Sequence, residues 1–99
     1  MARLRDKAEK VRSKNAGPFW LTIDIFCGEK TVFQDVCEKL PNIEIANVLD
    51  VDETELKRFE ISSLNVVKIS LPRPQIQGSI RDRDMHGASW AAIIGEMEI

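Results

Sequence analysis

Three segments of this 99-residue sequence carry more chemistry than a minimal fold requires. In Gly78-Ser79-Ile80-Arg81-Asp82-Arg83-Asp84-Met85-His86-Gly87, Asp82, Asp84 and His86 alternate, so extended backbone would put all three on one side. That grouping suits a histidine oriented by carboxylates and acting as acid or base, or a divalent metal. Two aspartates and one histidine are one ligand type short of a closed metal site, which favours the acid or base role and leaves no metal assigned. Charge pairing within a surface loop is the plainer alternative, at about 0 to 1 kcal/mol per pair. Asp82, Asp84 and His86 are therefore the candidate catalytic residues.

In the second segment Arg12 and Lys14 bracket Ser13, and Asn15-Ala16-Gly17 could turn backbone N–H groups toward a carboxylate or phosphate. It is not a nucleotide-binding Walker loop, because it precedes a strand and does not open a helix. A capped helix end with solvated cations explains the same residues. The third grouping depends on pairing: if the strands holding Asp24 and Lys68 are neighbours, both side chains lie on the face opposite the main apolar one, beside Thr22 and Ser70. Such a face is either solvated or one wall of a site. Arg73, between Pro72 and Pro74, joins Arg12, Ser13, Lys14, Asn15, Gly17, Asp24 and Lys68 as a candidate ligand-binding residue.

These residues need a scaffold, and a chain of this length supports one core. Leu4, Ala8 and Val11 fall at helical spacing, which predicts a short first helix ending in an ordered loop over Arg12 to Pro18. Phe19 to Cys27 alternates and predicts a strand, with Phe19, Leu21, Ile23, Ile25 and Cys27 on one face and Trp20, Thr22, Asp24 and Phe26 on the other. Val32, Phe33, Val36, Cys37 and Leu40 predict an amphipathic helix. Pro41 opens a second one that turns Ile45, Val48 and Leu49 inward. Asp52 and Glu55 have capping-box spacing for one further turn. Arg58 to Ile61 and Asn65 to Leu71 predict a hairpin, stopped by Pro72 and Pro74. Gln75 to Ala88 is a polar loop. Trp90 to Ile94 needs apolar cover, as a final strand or turn or as a contact on another chain. The expected class is α+β, with a mixed or antiparallel sheet and helices on one face.

Composition narrows the partners. Sixteen acidic residues against 14 basic ones, a net charge of −2 and a pI near 5.4 give no pull toward nucleic acid. No apolar run reaches membrane-spanning length and the start lacks a secretory pattern, so a cytoplasmic protein with no membrane association is expected. Cys27 and Cys37 are too sparse for a disulfide scaffold and too far apart for a zinc motif, which predicts reduced, buried thiols.

Arg12-Ser13-Lys14-Asn15-Ala16-Gly17-Pro18-Phe19, Lys68-Ile69-Ser70-Leu71-Pro72-Arg73-Pro74, Gln77-Gly78-Ser79 and Asp82-Arg83-Asp84-Met85-His86-Gly87, in that order, resemble a family of small bacterial proteins of unknown function. Those proteins are similar to the domain associated with acyclic terpene utilisation protein A. The resemblance implies a ferredoxin-like α+β domain over the whole chain, either fused to a large AtuA-like protein or acting as its separate small subunit. Arg12 to Gly17 looks like the counterpart of an Arg-Ser-Gly-Asp-Lys-Gly loop in fused versions, and Asp84 to Gly87 of an Asp-x-His-Gly-Lys stretch. Here Ala88 stands where the lysine would be and Asn15 where an acid is expected, so roles for those two side chains do not carry over.

The expected function is a small accessory subunit of a two-component catabolic enzyme or complex acting on small organic acids or their thioesters, with no cofactor assigned. A domain this small has few walls for a pocket of roughly 300 to 1,000 Å³. The alternatives are a stand-alone metabolite- or metal-binding module and a structural homo-oligomer joined through open sheet edges.

Overall fold

A computed structural model describes residues 2–17, 19–72 and 89–99. Apolar alternation in two central strands organises them. These are β2 (Trp20–Phe26) and β4 (Val66–Pro72), which pair antiparallel from Trp20 opposite Pro72 to Phe26 opposite Val66. Leu21, Ile23, Ile25, Val67, Ile69 and Leu71 all point to one side and are almost wholly buried there. Two edge strands complete an antiparallel sheet of order β1-β2-β4-β3: β1 (Lys10–Asn15) beside β2, and β3 (Lys57–Ile61) beside β4. The α+β class and the antiparallel sheet follow the expectation.

The helices pack on the apolar side of this sheet. They are α1 (Leu4–Lys7), α2 (Lys30–Lys39), α3 (Asn42–Leu49) and α4 (Ser89–Gly95). Phe33, Val36 and Leu40 at α2, Ile45, Ala46 and Leu49 of α3, Leu4 of α1 and Ile94 of α4 join the strand residues in one cluster. Burying one such aliphatic side chain contributes about 1.5 to 3 kcal/mol, so a few of them match the whole net stability of a small domain. Val48 and Phe19 are corrections: Val48 lies exposed on α3, where Ala46 takes the inward place, and Phe19 stands exposed just before β2.

Two local signals read as expected. Gly28 leaves β2 with φ +79, and a Cβ there would stand 2.6 Å from Glu9 Oε2, so the backbone conformation and the space both call for glycine. Asp52 caps the 3₁₀ turn Glu53–Glu55 by accepting from the Thr54 N–H at 2.9 Å.

The chain's start departs from its helical spacing. The first helix stops at Lys7 and residues 10 to 15 form a strand, so the expected loop from Arg12 is a sheet edge. Leu4, Ala8 and Val11 do share the core, yet Val11 reaches it from β1, opposite Ile25. A six-residue strand there pairs its inward backbone groups with β2 and covers that strand's open edge, which one narrow helical stripe on four helical residues cannot match. The segment from Trp90 to Ile94 is also a helix and neither a strand nor a turn. It lies along β1, where the Ser13 Oγ accepts the Ala91 N–H at 2.8 Å. Both ends of the described chain meet: the Leu4 N–H donates to Met97 O at 2.7 Å and the Ile99 N–H to Ala2 O at 3.0 Å.

Arg58 locks the corner between α2 and α3. It sits on the helix side of β3, its side chain 13% exposed, and its Nη1 donates to Leu40 O, the last carbonyl of α2, and to Asn42 Oδ1 at 3.2 Å. Its Nε donates to Glu60 Oε2 at 3.0 Å. Removing it would strand that carbonyl and leave a gap under the corner. We expect Arg58→Ala to cost about 2 to 4 kcal/mol in urea-unfolding experiments.

Both cysteines are free thiols; Cys27 is buried and Cys37 half-buried. Burial, reinforced by Cys37 nearby, pushes the Cys27 thiol up to about 11 from 9.0. Burial also raises Cys37, helped by Glu60 and opposed by Arg58. A raised thiol pKa favours the protonated, folded form: its contribution is complete below pH 9.0 and is lost as pH climbs toward about 11. Unfolding experiments across that window should therefore show declining stability that Cys27→Ala flattens. At neutral pH a thiol reagent should label Cys27 only after unfolding.

Candidate functional site

Strand alternation decides which candidate residues stand together. Across the sheet face turned away from the helices, Arg12 of β1 lies opposite Asp24 of β2, Asp24 opposite Lys68 of β4, and Lys68 opposite Phe59 of β3. The next rank is Lys14, Thr22, Ser70 and Lys57 in the same order. Side chains directly opposite each other in such ranks have Cβ atoms about 4.5 to 5.5 Å apart. The expected Asp24 and Lys68 pairing is therefore present, with Arg12 and Lys14 brought in from the second candidate group.

The same alternation splits that group. Ser13 and Asn15 are opposite the core residues Ile23 and Leu21, so they belong to the helix side. There Ser13 satisfies an N–H in the first turn of α4, a structural task that holds the helix against β1. Gly17 has φ +84 in the connection between β1 and β2, with open space where a Cβ would stand. Arg73, Asp82, Asp84 and His86 lie outside the described residues.

The centre of the face is polar but withdrawn from solvent. Thr22 is only 6% exposed, and its Oγ1 is buried without a hydrogen-bond partner among the described residues. Asp24, Lys68 and Ser70 are half-buried, while Arg12 and Lys14 are exposed. Among the described residues, Asp24 makes no ion pair with either cation facing it. Among the described strand residues, Lys10, Arg12, Lys14, Lys57 and Lys68 share this face with one carboxylate, that of Asp24, so these strands present a positive face although the whole chain is −2.

Aromatic side chains rim the polar ranks. Trp20 and Phe59 are exposed, Phe26 is half-buried, and Lys57 Nζ stands 5.4 Å from the Trp20 ring centroid in a cation–π contact. Sequence reasoning passed over Lys10, Trp20, Lys57 and Phe59 as ligand-facing residues. The period-two pattern of Trp20 against Leu21 was a usable signal. Lys10, Lys57 and Phe59 needed the strand register.

Other places in the fold have less to offer a ligand. A depression of about 720 Å³ where the two ends meet is lined by Ala2, Lys7, Lys39, Glu44, Glu98 and Ile99, with charges of both signs. Among the described residues no three histidine, cysteine or carboxylate side chains could hold a metal ion, and no helix is long and apolar enough to cross a membrane. The face is thus a shallow, cation-rich wall able to hold an anion by hydrogen bonds and charge.

No curated protein matches the chain, and no solved structure matches it. The family model described as a domain of unknown function, DUF4387, matches residues 4–98, which takes in every element described above. This chain accordingly belongs to the DUF4387 family.

Proposed function

We propose that the protein is a small accessory subunit of a two-component, cytoplasmic catabolic enzyme or complex that acts on small organic acids or their thioesters. The observation that carries this reading is the cation-rich sheet face, which has the polar groups for an acidic ligand but, among the described residues, no element packed over it. A second protein laid over that face would supply the missing walls and exclude water from the charges, where each interaction strengthens. The partner proposed is a large AtuA-like protein, on the strength of the sequence resemblance.

The topology supports the resemblance from a different direction. Read from β2, the elements run β2, α2 with α3, β3, β4, α4 and then β1, and the sheet order places β1 beside β2. That is the βαββαβ plan of a ferredoxin-like sandwich started at another point. The hydrogen bonds of Leu4 to Met97 and Ile99 to Ala2 tie α4 to the strand that would follow it. On this proposal the domain is a ferredoxin-like sandwich with its strand order rotated along the chain.

A tagged protein expressed from its native gene neighbourhood should bring down a large subunit in near-equal amounts. Recovery of the tagged chain alone would remove the subunit reading. Within such a complex, replacing both Arg12 and Lys14 by glutamine should leave the melting temperature unchanged, both residues being exposed, and lower turnover about 10-fold or more. His86→Ala should shift stability by no more than about 0.5 kcal/mol while removing activity, as the sequence reading of a histidine oriented by Asp82 and Asp84 expects.

A further inference from the structure

We propose that the sheet face selects hydroxylated carboxylates: Arg12, Lys14 and the Thr22 hydroxyl hold the carboxylate, and Asp24 accepts a hydrogen bond from the ligand's hydroxyl group. This deepens the reading above and rests on it for physiological meaning, but the binding is a property of this chain's own residues.

The buried Thr22 hydroxyl is the starting point. A hydroxyl removed from water with no partner costs free energy, and such groups in native folds call for a reason. Thr22 is on a central strand, 6% exposed, with no hydrogen-bond partner for its Oγ1 among the described residues, and it faces away from the apolar core. Valine has the same shape and a better strand propensity, so packing alone does not account for threonine here. A ligand oxygen that displaces the side chains now covering Oγ1 would satisfy the donor. Lys14 is directly opposite Thr22 on β1, and Arg12 stands two residues back on the same edge, so one carboxylate can meet both cations and the hydroxyl. Arginine presents a planar pair of donors that matches a carboxylate, and charge-assisted bonds of this kind are about twice as strong as neutral ones.

Asp24 sets the selectivity. A carboxylate on an anion-binding wall repels the ligand unless it has a specific task. It is half-buried between Arg12 and Lys68, and neither cation forms an ion pair with it among the described residues. Its oxygens accept and do not donate, so they fit a hydroxyl beside the ligand carboxylate and reject a bare second anion. Asp24 is two residues from Thr22 on the same face, about 6.6 to 6.8 Å along the strand, so a ligand lying between them can turn its carboxylate to Thr22 and a neighbouring hydroxyl to Asp24.

The test is amide NMR on the nitrogen-labelled full chain, titrated separately with lactate, propionate and inorganic phosphate. Lactate should give saturable shifts centred on Thr22, Asp24, Lys68 and Ser70, with a Kd of about 1 mM, and propionate and phosphate should each bind about 10-fold more weakly. Asp24→Asn should erase most of the preference for lactate over propionate. Thr22→Val should have opposite effects on two readouts: a higher melting temperature, because an unsatisfied hydroxyl is gone, and about 10-fold weaker lactate binding. Equal affinity for lactate and propionate, equal affinity for phosphate, or lactate shifts that do not saturate by about 100 mM would each overturn the proposal. Co-purification of a large partner without lactate binding removes this inference alone, whereas lactate binding by a chain that purifies alone removes only the subunit reading.

Discussion

The pairing of β2 with β4 is the constraint on which the rest depends. Its register runs from Trp20 opposite Pro72 to Phe26 opposite Val66, and because strand side chains alternate, a slip of one residue would exchange the two faces of a strand. Ile23 and Ile69, now buried against the helices, would be replaced there by Thr22, Asp24, Lys68 or Ser70. Losing that apolar contact and burying those polar groups would exceed the net stability of a domain this size. The core therefore holds the register, and the register holds the polar ranks in line on the other face.

This links stability to the candidate site in a direct way. The helix side supplies the free energy, through Leu21, Ile23, Ile25, Val67, Ile69 and Leu71 packed under α2, α3 and α4. The open side offsets part of it, since Thr22 is buried with no partner among the described residues and the cations of neighbouring ranks repel one another. Edge strands carry much of that charge: Lys10, Arg12 and Lys14 on β1 and Lys57 on β3. Lysines on edges also discourage open strands from pairing with other chains, so the same residues serve solubility and anion attraction.

The formal charge of the whole chain is a poor guide to this face. Interleaved signs along the sequence imply a mixed surface, but period-two alternation sends Arg12 and Lys14 one way and Ser13 and Asn15 the other. Folding thus sorts charges that look evenly mixed in one dimension. The net value of −2 describes the molecule at a distance, whereas a small ligand at the sheet meets the local excess of cations within a Debye length of about 8 to 10 Å.

Strongly patterned segments were legible because their period admits one solution. Alternation from Trp20 to Phe26 and from Val66 to Leu71 meant strands with known inner faces, helical spacing from Val32 to Leu40 meant α2, and Gly28 and the capped turn at Asp52 marked their breaks. Those patterns assigned Asp24 and Lys68 each to the polar side of its own strand, and the pairing of β2 with β4 put them on one face. The first 15 residues were not legible in that way. Leu4, Ala8 and Val11 satisfy a helical period, and only a neighbouring strand with unpaired backbone made β1 the better state. Whether Arg12 would sit beside Asp24, whether Ser13 would support α4, and whether Thr22 would lose its water were all decided by which strands became neighbours. Those are long-range pairings, and nothing local in the chain encodes them.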